Sequence, residues 1–160
     1  MAQYHFVTHW HVDAPIESAW DAISHPERWP SWWKGVEQVT QLATGDADGI
    51  GDRRHYVWKS LLPYRLGFEV TTTRIERPHT LEGRATGELE GTGRWDIRGS
   101  SDGGTEITYF WDVRTTRRWM NAIAPLAGPV FRWNHDYVMA NGGRGLTQLL
   151  AGRTAPGPNV

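Results

Sequence analysis

Cysteine is absent and lysine nearly so: the 160 residues contain no Cys and only Lys34 and Lys59. Without thiols there is no disulfide scaffold, no Cys-ligated zinc or iron–sulfur centre and no sulfur nucleophile. Long apolar runs are missing as well. No stretch approaches the ~18 residues that a membrane span needs, and Met1-Ala-Gln-Tyr-His-Phe6 lacks a basic start followed by an apolar core. The expectation is therefore a soluble, cytoplasmic protein without a membrane span. Charge of one sign is also lacking. Seventeen basic and 18 acidic residues leave a formal charge of −1, and the arginines are scattered among the acids rather than drawn into a stripe that could track a phosphate backbone. Nucleic acid is not an expected partner. What the sequence has in excess is tryptophan: ten, from Trp10 to Trp133. They are either core filler or the lining of a cavity.

The length suits one domain, which can bury roughly 70% of its unfolded surface; residues 1–152 are assigned to it and 153–160, rich in Pro and Gly, to a disordered tail. Tyr4 to Val12 alternates with period two, Tyr4, Phe6, Thr8, Trp10 and Val12 on one face and His5, Val7, His9 and His11 on the other, which is a strand. Asp13 as N-cap, Pro15 in the first turn and Glu17 near the positive end predict a helix over about 15–24, burying Ile16, Ala19, Trp20 and Ile23. Pro26 to Lys34 reads as a second short helix or turn.

From Val36 to Thr116 strands alternate with turns. Inward candidates are Arg54, Tyr56 and Trp58, then Leu66, Phe68 and Val70, then Leu81, Gly83, Ala85, Gly87 and Leu89 in one strand, then Gly93, Trp95 and Ile97, then Ile107, Tyr109, Trp111 and Val113. Such alternation marks an antiparallel sheet with one wet face. Gly99 to Gly104 closes a hairpin, and the tiny inward residues predict a curved, concave sheet. After Pro125 and Pro129 a last helix is expected over about 129–151, with Phe131, Val138, Gly145 and Leu149 toward the sheet and Asp136, Gly143 and Thr147 away from it. Gly142, Gly143 and Gly145 cost up to ~1 kcal/mol each against Ala in a helix interior, so a kink or a close approach is expected there. Asn134 and Asn141 fall in the buried arc and need hydrogen-bond partners.

No Gly-x-Ser-x-Gly elbow and no Gly-x-x-x-x-Gly-Lys loop is present. His9-x-His11 could seed a metal site, but no second ligand motif supports it, so neither metal nor cofactor is expected. Arg114, Arg117 and Arg118 form a basic connector at the rim. The concave face, with Tyr56, Trp58, Phe68, Trp95, Tyr109 and Trp111, together with Asn134, Tyr137, Val138 and Asn141 from the helix, is the candidate ligand site. Rings with a few hydroxyls and the guanidinium of Arg54 suit a planar, mostly apolar, oxygenated molecule.

The order strand, two short helices, six-strand meander and long C-terminal helix, with Asp13-Ala-Pro-Ile-Glu-Ser-Ala-Trp-Asp21, Pro26-Glu-Arg-Trp29, Trp32-Trp33, Leu62-Pro-Tyr-Arg-Leu66, Gly91-Thr-Gly-Arg-Trp95, Gly104-Thr105 and Trp133-Asn-His-Asp-Tyr-Val-Met139, resembles the START-like helix-grip superfamily in its polyketide cyclase/dehydrase and lipid-transfer branch. The resemblance implies an α+β fold, a curved seven-stranded antiparallel sheet around the long helix, enclosing a hydrophobic cavity. Members include aromatase/cyclases, hormone receptors, lipid carriers and quinone-binding chaperones, and fold alone does not choose among them. The leading expectation is binding of a small hydrophobic, aromatic or polyketide-like molecule in a cavity between the sheet and the C-terminal helix, by a monomer or homodimer. The alternative is a cofactor-independent cyclase or dehydratase in which Arg54 or His135 polarises a carbonyl and a Tyr or water relays a proton. A third reading is partner binding through exposed Trp119 and the arginine rim.

Overall fold

Seven strands and two helices make up the computed structural model, which describes residues 3–154, and the side chains as far as Ala151. The strands are β1 (Gln3–Val12), β2 (Val36–Ala43), β3 (Arg53–Lys59), β4 (Arg65–Glu76), β5 (Thr80–Gly87), β6 (Leu89–Gly99) and β7 (Thr105–Thr115). They form one antiparallel sheet in the order β1-β7-β6-β5-β4-β3-β2. Helix α1 (Ile16–Ile23) and a 3-10 turn (Pro26–Ser31) follow β1, and α2 (Arg118–Thr154) closes the chain. This is the helix-grip arrangement expected, with α2 lying along β1 and α1. The proposed tail from Arg153 begins inside α2, and residues 155–160 lie outside the described residues. Among the described residues no helix is long and apolar enough to cross a membrane.

The strand periodicities hold, with local exceptions. Residues 81–89 are not one strand: Gly87, at φ +111°, ends β5, and Leu89 already belongs to β6. A left-handed backbone of that kind favours glycine, so the residue read as an inward spacer is the turn. Gly83 and Gly93 do keep the concave face open; a Cβ at Gly93 would lie 2.6 Å from the Tyr109 hydroxyl and 2.8 Å from the Trp111 ring. Asp13 does not cap α1. The N-cap position is Pro15, without a side-chain hydrogen bond, and the Asp13 carboxylate, two residues earlier, pairs with His11 3.1 Å away.

Helix α2 starts eleven residues earlier than expected, at Arg118 rather than 129, and both prolines lie inside it. Pro removes one helical hydrogen bond and crowds the preceding turn, yet Pro125 and Pro129 are exposed, on the side where water can complete the backbone. The buried arc also differs from the one expected. Val138, Met139, Gly142, Leu146 and Leu150 are buried, and Gly143, assigned outward, packs against Trp10. Two indoles cause the rotation. Trp33 Nε1 donates to the Val138 carbonyl at 2.9 Å and Trp10 Nε1 to that of Met139 at 3.1 Å, and both rings press into the surface left bare by the glycines. A Cβ at Gly142 would sit 2.5 Å from the Trp33 ring, and one at Gly145 only 1.8 Å from the Trp32 carbonyl oxygen. Trp133 points outward and is 55% exposed.

Helix propensity favours Ala over Gly by about 1 kcal/mol, and packing decides whether that gain is realised. Gly145→Ala forces a backbone shift and should cost ~2–3 kcal/mol net, lowering Tm by roughly 5–10 °C. Gly128→Ala, with nothing within 4 Å of the added methyl, should raise stability by up to ~1 kcal/mol. Thermal melts of the two variants check the pair, and equal shifts would refute the notch.

Candidate functional site

Arg54, Tyr56 and Trp58 alternate along β3 and so reach the concave face together. Phe68 on β4 lies opposite Tyr56, and farther across the sheet Trp111 on β7 lies opposite Gly93 of β6, which extends that face into a wall of rings. The rings form a closed circuit: Trp95 stacks on Tyr109 at 4.1 Å, and the chain continues through Trp111, Phe68, Tyr56, Trp29, Trp33 and Trp10 back to Trp95, with every step at 5.1–5.8 Å. Edge-to-face and offset pairs of this spacing contribute about 0.5–1.5 kcal/mol each beyond burial. The circuit therefore holds its own shape.

Against this wall lies a cleft of about 790 Å³, lined also by Trp20, Val70, Leu81 and the β2–β3 loop over 44–52; no residue of α2 lines it, so it lies between the sheet, the α1 segment and that loop rather than between sheet and C-terminal helix as expected. The exposed loop residues Asp46, Ala47 and Asp48 mark its mouth. Its polar end is built around Arg54. One guanidinium nitrogen lies 2.6 Å from Asp52 and another 3.5 Å from Glu27, while Gln41 Nε2 donates to the other Asp52 oxygen at 2.6 Å. Arg54 and Asp52 side chains are only 18% and 10% exposed, so the pair is positioned by mutual charge in a poorly solvated place; Arg54 Nε has no partner. Burial pushes the phenols of Tyr56 and Tyr109 far above their ordinary range, so both are neutral hydrogen-bond donors at physiological pH.

A second cavity of about 140 Å³ lies on the other side of Trp58, Phe68, Tyr109 and Trp111, which line both. Its remaining wall includes Tyr4, Phe6, Asn134, His135 and Val138. The His135 ring stacks on Phe6 at 3.8 Å. Tyr4 Oη, Trp58 Nε1, Asn134 Oδ1 and His135 Nδ1 are buried without a hydrogen-bond partner.

Of the residues singled out in the sequence, Arg54, Tyr56, Trp58, Phe68, Trp95, Tyr109 and Trp111 line the larger cleft, and Asn134, His135 and Val138 the smaller cavity. The two candidate catalytic groups are thus apart: Arg54 lines one space and His135 the other. Tyr137 and Asn141 line neither; Tyr137 stacks on Trp133, and Asn141 accepts from Arg144. Sequence reasoning missed Asp52 and Gln41, which fix Arg54, although the spacing Asp52-x-Arg54 carried a signal. Trp29 and Trp33, which it left out of the ligand site, join the ring circuit, Trp33 at 1% exposure. The outer histidines each pair across to β7: His5 with Asp112, His9 with Thr108 and His11 with Glu106. The hydrogen bond to Glu106, before that to Asp13, raises the His11 pKa. Arg114 and Arg117 are engaged by Glu90 and Glu88.

A family model described as polyketide cyclase / dehydrase and lipid transport matches residues 3–152, and the chain belongs to that family. Solved structures share its fold. The Zhui aromatase/cyclase from Streptomyces sp. R1128 aligns with a TM-score of 0.80 at 12% identity, over 99% of this chain and 100% of that one. A Thermus thermophilus protein, TTHA0849, gives 0.80 at 14% identity over 95% and 100%, and a START superfamily protein from Mycobacterium smegmatis 0.76 at 14% over 94% and 99%. No curated protein matches the chain in sequence.

The buried imidazole of His135 has a pH signature. Desolvation lowers its pKa to about 4 from the ordinary 6.5, outweighing Asp136, whose carboxylate lies 3.8 Å away. The unfolded chain therefore takes up this proton below pH 6.5 while the folded one does so only near pH 4. Stability is full above 6.5 and falls as the pH drops toward 4, by a total on the order of 2–3 kcal/mol. Urea unfolding at pH 7 and pH 4.5 should show this loss in the wild type and not in His135→Phe, which keeps the stack on Phe6. Identical pH slopes would sink the assignment.

Proposed function

We propose that this protein binds a planar, hydrophobic, oxygenated molecule of aromatic or polyketide-like type in the 790 Å³ cleft, acting as a cytoplasmic carrier or receptor. The observation that carries this reading is the closed ring circuit with one charged corner. A rigid aromatic wall loses little entropy when it meets a flat ligand, and the volume falls within the usual range of small-molecule sites. Arg54 and the neutral phenols of Tyr56 and Tyr109 supply donors for carbonyl or phenolic oxygens beside the aromatic wall. The family's description, which includes lipid transport, is consistent with a carrier.

Intrinsic fluorescence titrated with flavonoids, quinones, fatty acids and polyketide mimics should show saturable quenching by at least one class. Asp52→Asn/Arg54→Gln, which removes both buried charges together, should weaken an oxygenated ligand about tenfold, as expected for loss of a hydrogen bond to a charged group, and leave a hydrocarbon of similar shape unaffected. Absence of saturable quenching with every class would refute the reading.

A second reading, cofactor-independent cyclisation or dehydration of a poly-β-ketone, is favoured by the same corner, where a cation and two neutral phenols line one space. Arg54 would stabilise the developing enolate oxygen, and in the dehydration a phenol would give its proton to the departing hydroxyl, which leaves as water, and be restored by the proton lost from the α-carbon, directly or through a water. His135 has no part in it. Turnover of such a substrate by the wild type, lost in Tyr109→Phe with binding retained, would select this reading over simple carriage.

A further inference from the structure

The first half of α2 presents an apolar stripe to the outside. Trp119, Ile123, Leu126, Val130, Trp133 and Tyr137 follow one another at intervals of four, three, four, three and four residues. At 100° per residue they stay within about 40° of one direction. That is the spacing of a two-helix seam, on a face turned away from the sheet. Leu126 is 89% exposed, and Trp119, Ile123, Val130 and Trp133 between 40% and 55%. Trp119 is braced by Tyr64, edge to face at 5.2 Å, and Trp133 by Tyr137, so the stripe is held ready rather than collapsed onto the protein. The neighbouring positions Ala122, Ala127 and Pro129 carry no charge that pairing would have to desolvate.

The spacing also names the occupant. Read in reverse, the series of intervals is the same, so an antiparallel copy of the helix places Trp119 opposite Tyr137, Ile123 opposite Trp133 and Leu126 opposite Val130, twice over about a single twofold axis. Self-complementarity of this sort is what an isologous dimer requires. The stripe alone exposes on the order of 500 Å², most of the ~800 Å² that each partner contributes to a standard interface. We propose that the exposed face of α2 from Trp119 to Tyr137 is the twofold interface of a homodimer, paired antiparallel through these six side chains.

The chain's lack of cysteine makes the register directly testable. Oxidation of an equimolar mixture of Leu126→Cys and Val130→Cys should give a disulfide dimer with one copy of each, while Leu126→Cys alone should cross-link poorly. Sedimentation equilibrium of the wild type should show reversible dimerisation. Leu126→Glu, at a site 89% exposed in the protomer, should weaken it at least ~100-fold with an unchanged thermal melt of the protomer. Mixing Leu126→Glu with Val130→Lys should restore the dimer, since the mixed pair faces Glu with Lys. A monomeric mass at every concentration overturns the proposal, as does efficient self-cross-linking of Leu126→Cys, which belongs to a parallel pairing. A strictly monomeric protein that sediments with phosphatidylglycerol vesicles, and loses this with Leu126→Glu, overturns it in favour of a lipid surface.

Discussion

The seating of two indoles in a glycine-lined face of α2 is the constraint on which the architecture turns. Trp10 comes from the first strand and Trp33 from the segment after the 3-10 turn, and each spends its N–H on a helix carbonyl, of Met139 and Val138. Those carbonyls are reachable because Gly142 and Gly143 carry no side chains above them. A buried indole N–H left unpaired costs on the order of 1–3 kcal/mol, so the two bonds fix the rotation and the height of the helix at once. Glycine's poor helix propensity is the cost of that contact.

The same contact explains where the protein is filled and where it is empty. Helix α2 is clamped near its glycines, where Leu146 and Leu150 complete the core. Away from the clamp, Tyr56, Phe68, Tyr109 and Trp111 meet one another rather than the helix, and open space remains beside them. The charge placed there is not exposed: Arg54 is held between Asp52 and Glu27. Replacing one member of such a pair leaves an uncompensated charge, which is why its carboxylates belong to the site as much as the guanidinium does.

Most strands were legible in the sequence because they keep a period of two with one buried face: Arg54, Tyr56 and Trp58, or Tyr109, Trp111 and Val113, announce their face without tertiary help, whereas β2 and β4 carry register shifts that interrupt it. The antiparallel sheet and the assignment of seven residues to the concave wall followed from that, the hairpin at Gly99–Gly104 from its turn residues, and the count of seven strands from the resemblance to the helix-grip superfamily. Helix α2 was harder. Pro125 and Pro129 are local stop signals overridden by an exposed setting, and three glycines blur the amphipathic pattern, so both its start and its buried arc were misplaced. Gly87 was misread because a glycine inside an alternating run and a glycine at a turn look alike until the backbone is seen. The division of the interior between Arg54 and His135 had no signal in the spacing, since it depends on which rings stand between them.

Eight rings in continuous contact are, optically, not eight independent side chains. Transition dipoles at separations of 5.1–6.2 Å couple strongly, so excitation created on Trp10, Trp29, Trp33 or Trp95 should move among them before it is emitted. The near-ultraviolet dichroism of this protein should then carry exciton couplets rather than a sum of isolated indole bands. Removal of one ring, Trp29 for instance, would alter the spectrum of the whole set. The packing that shapes the cleft also couples four of its tryptophans optically.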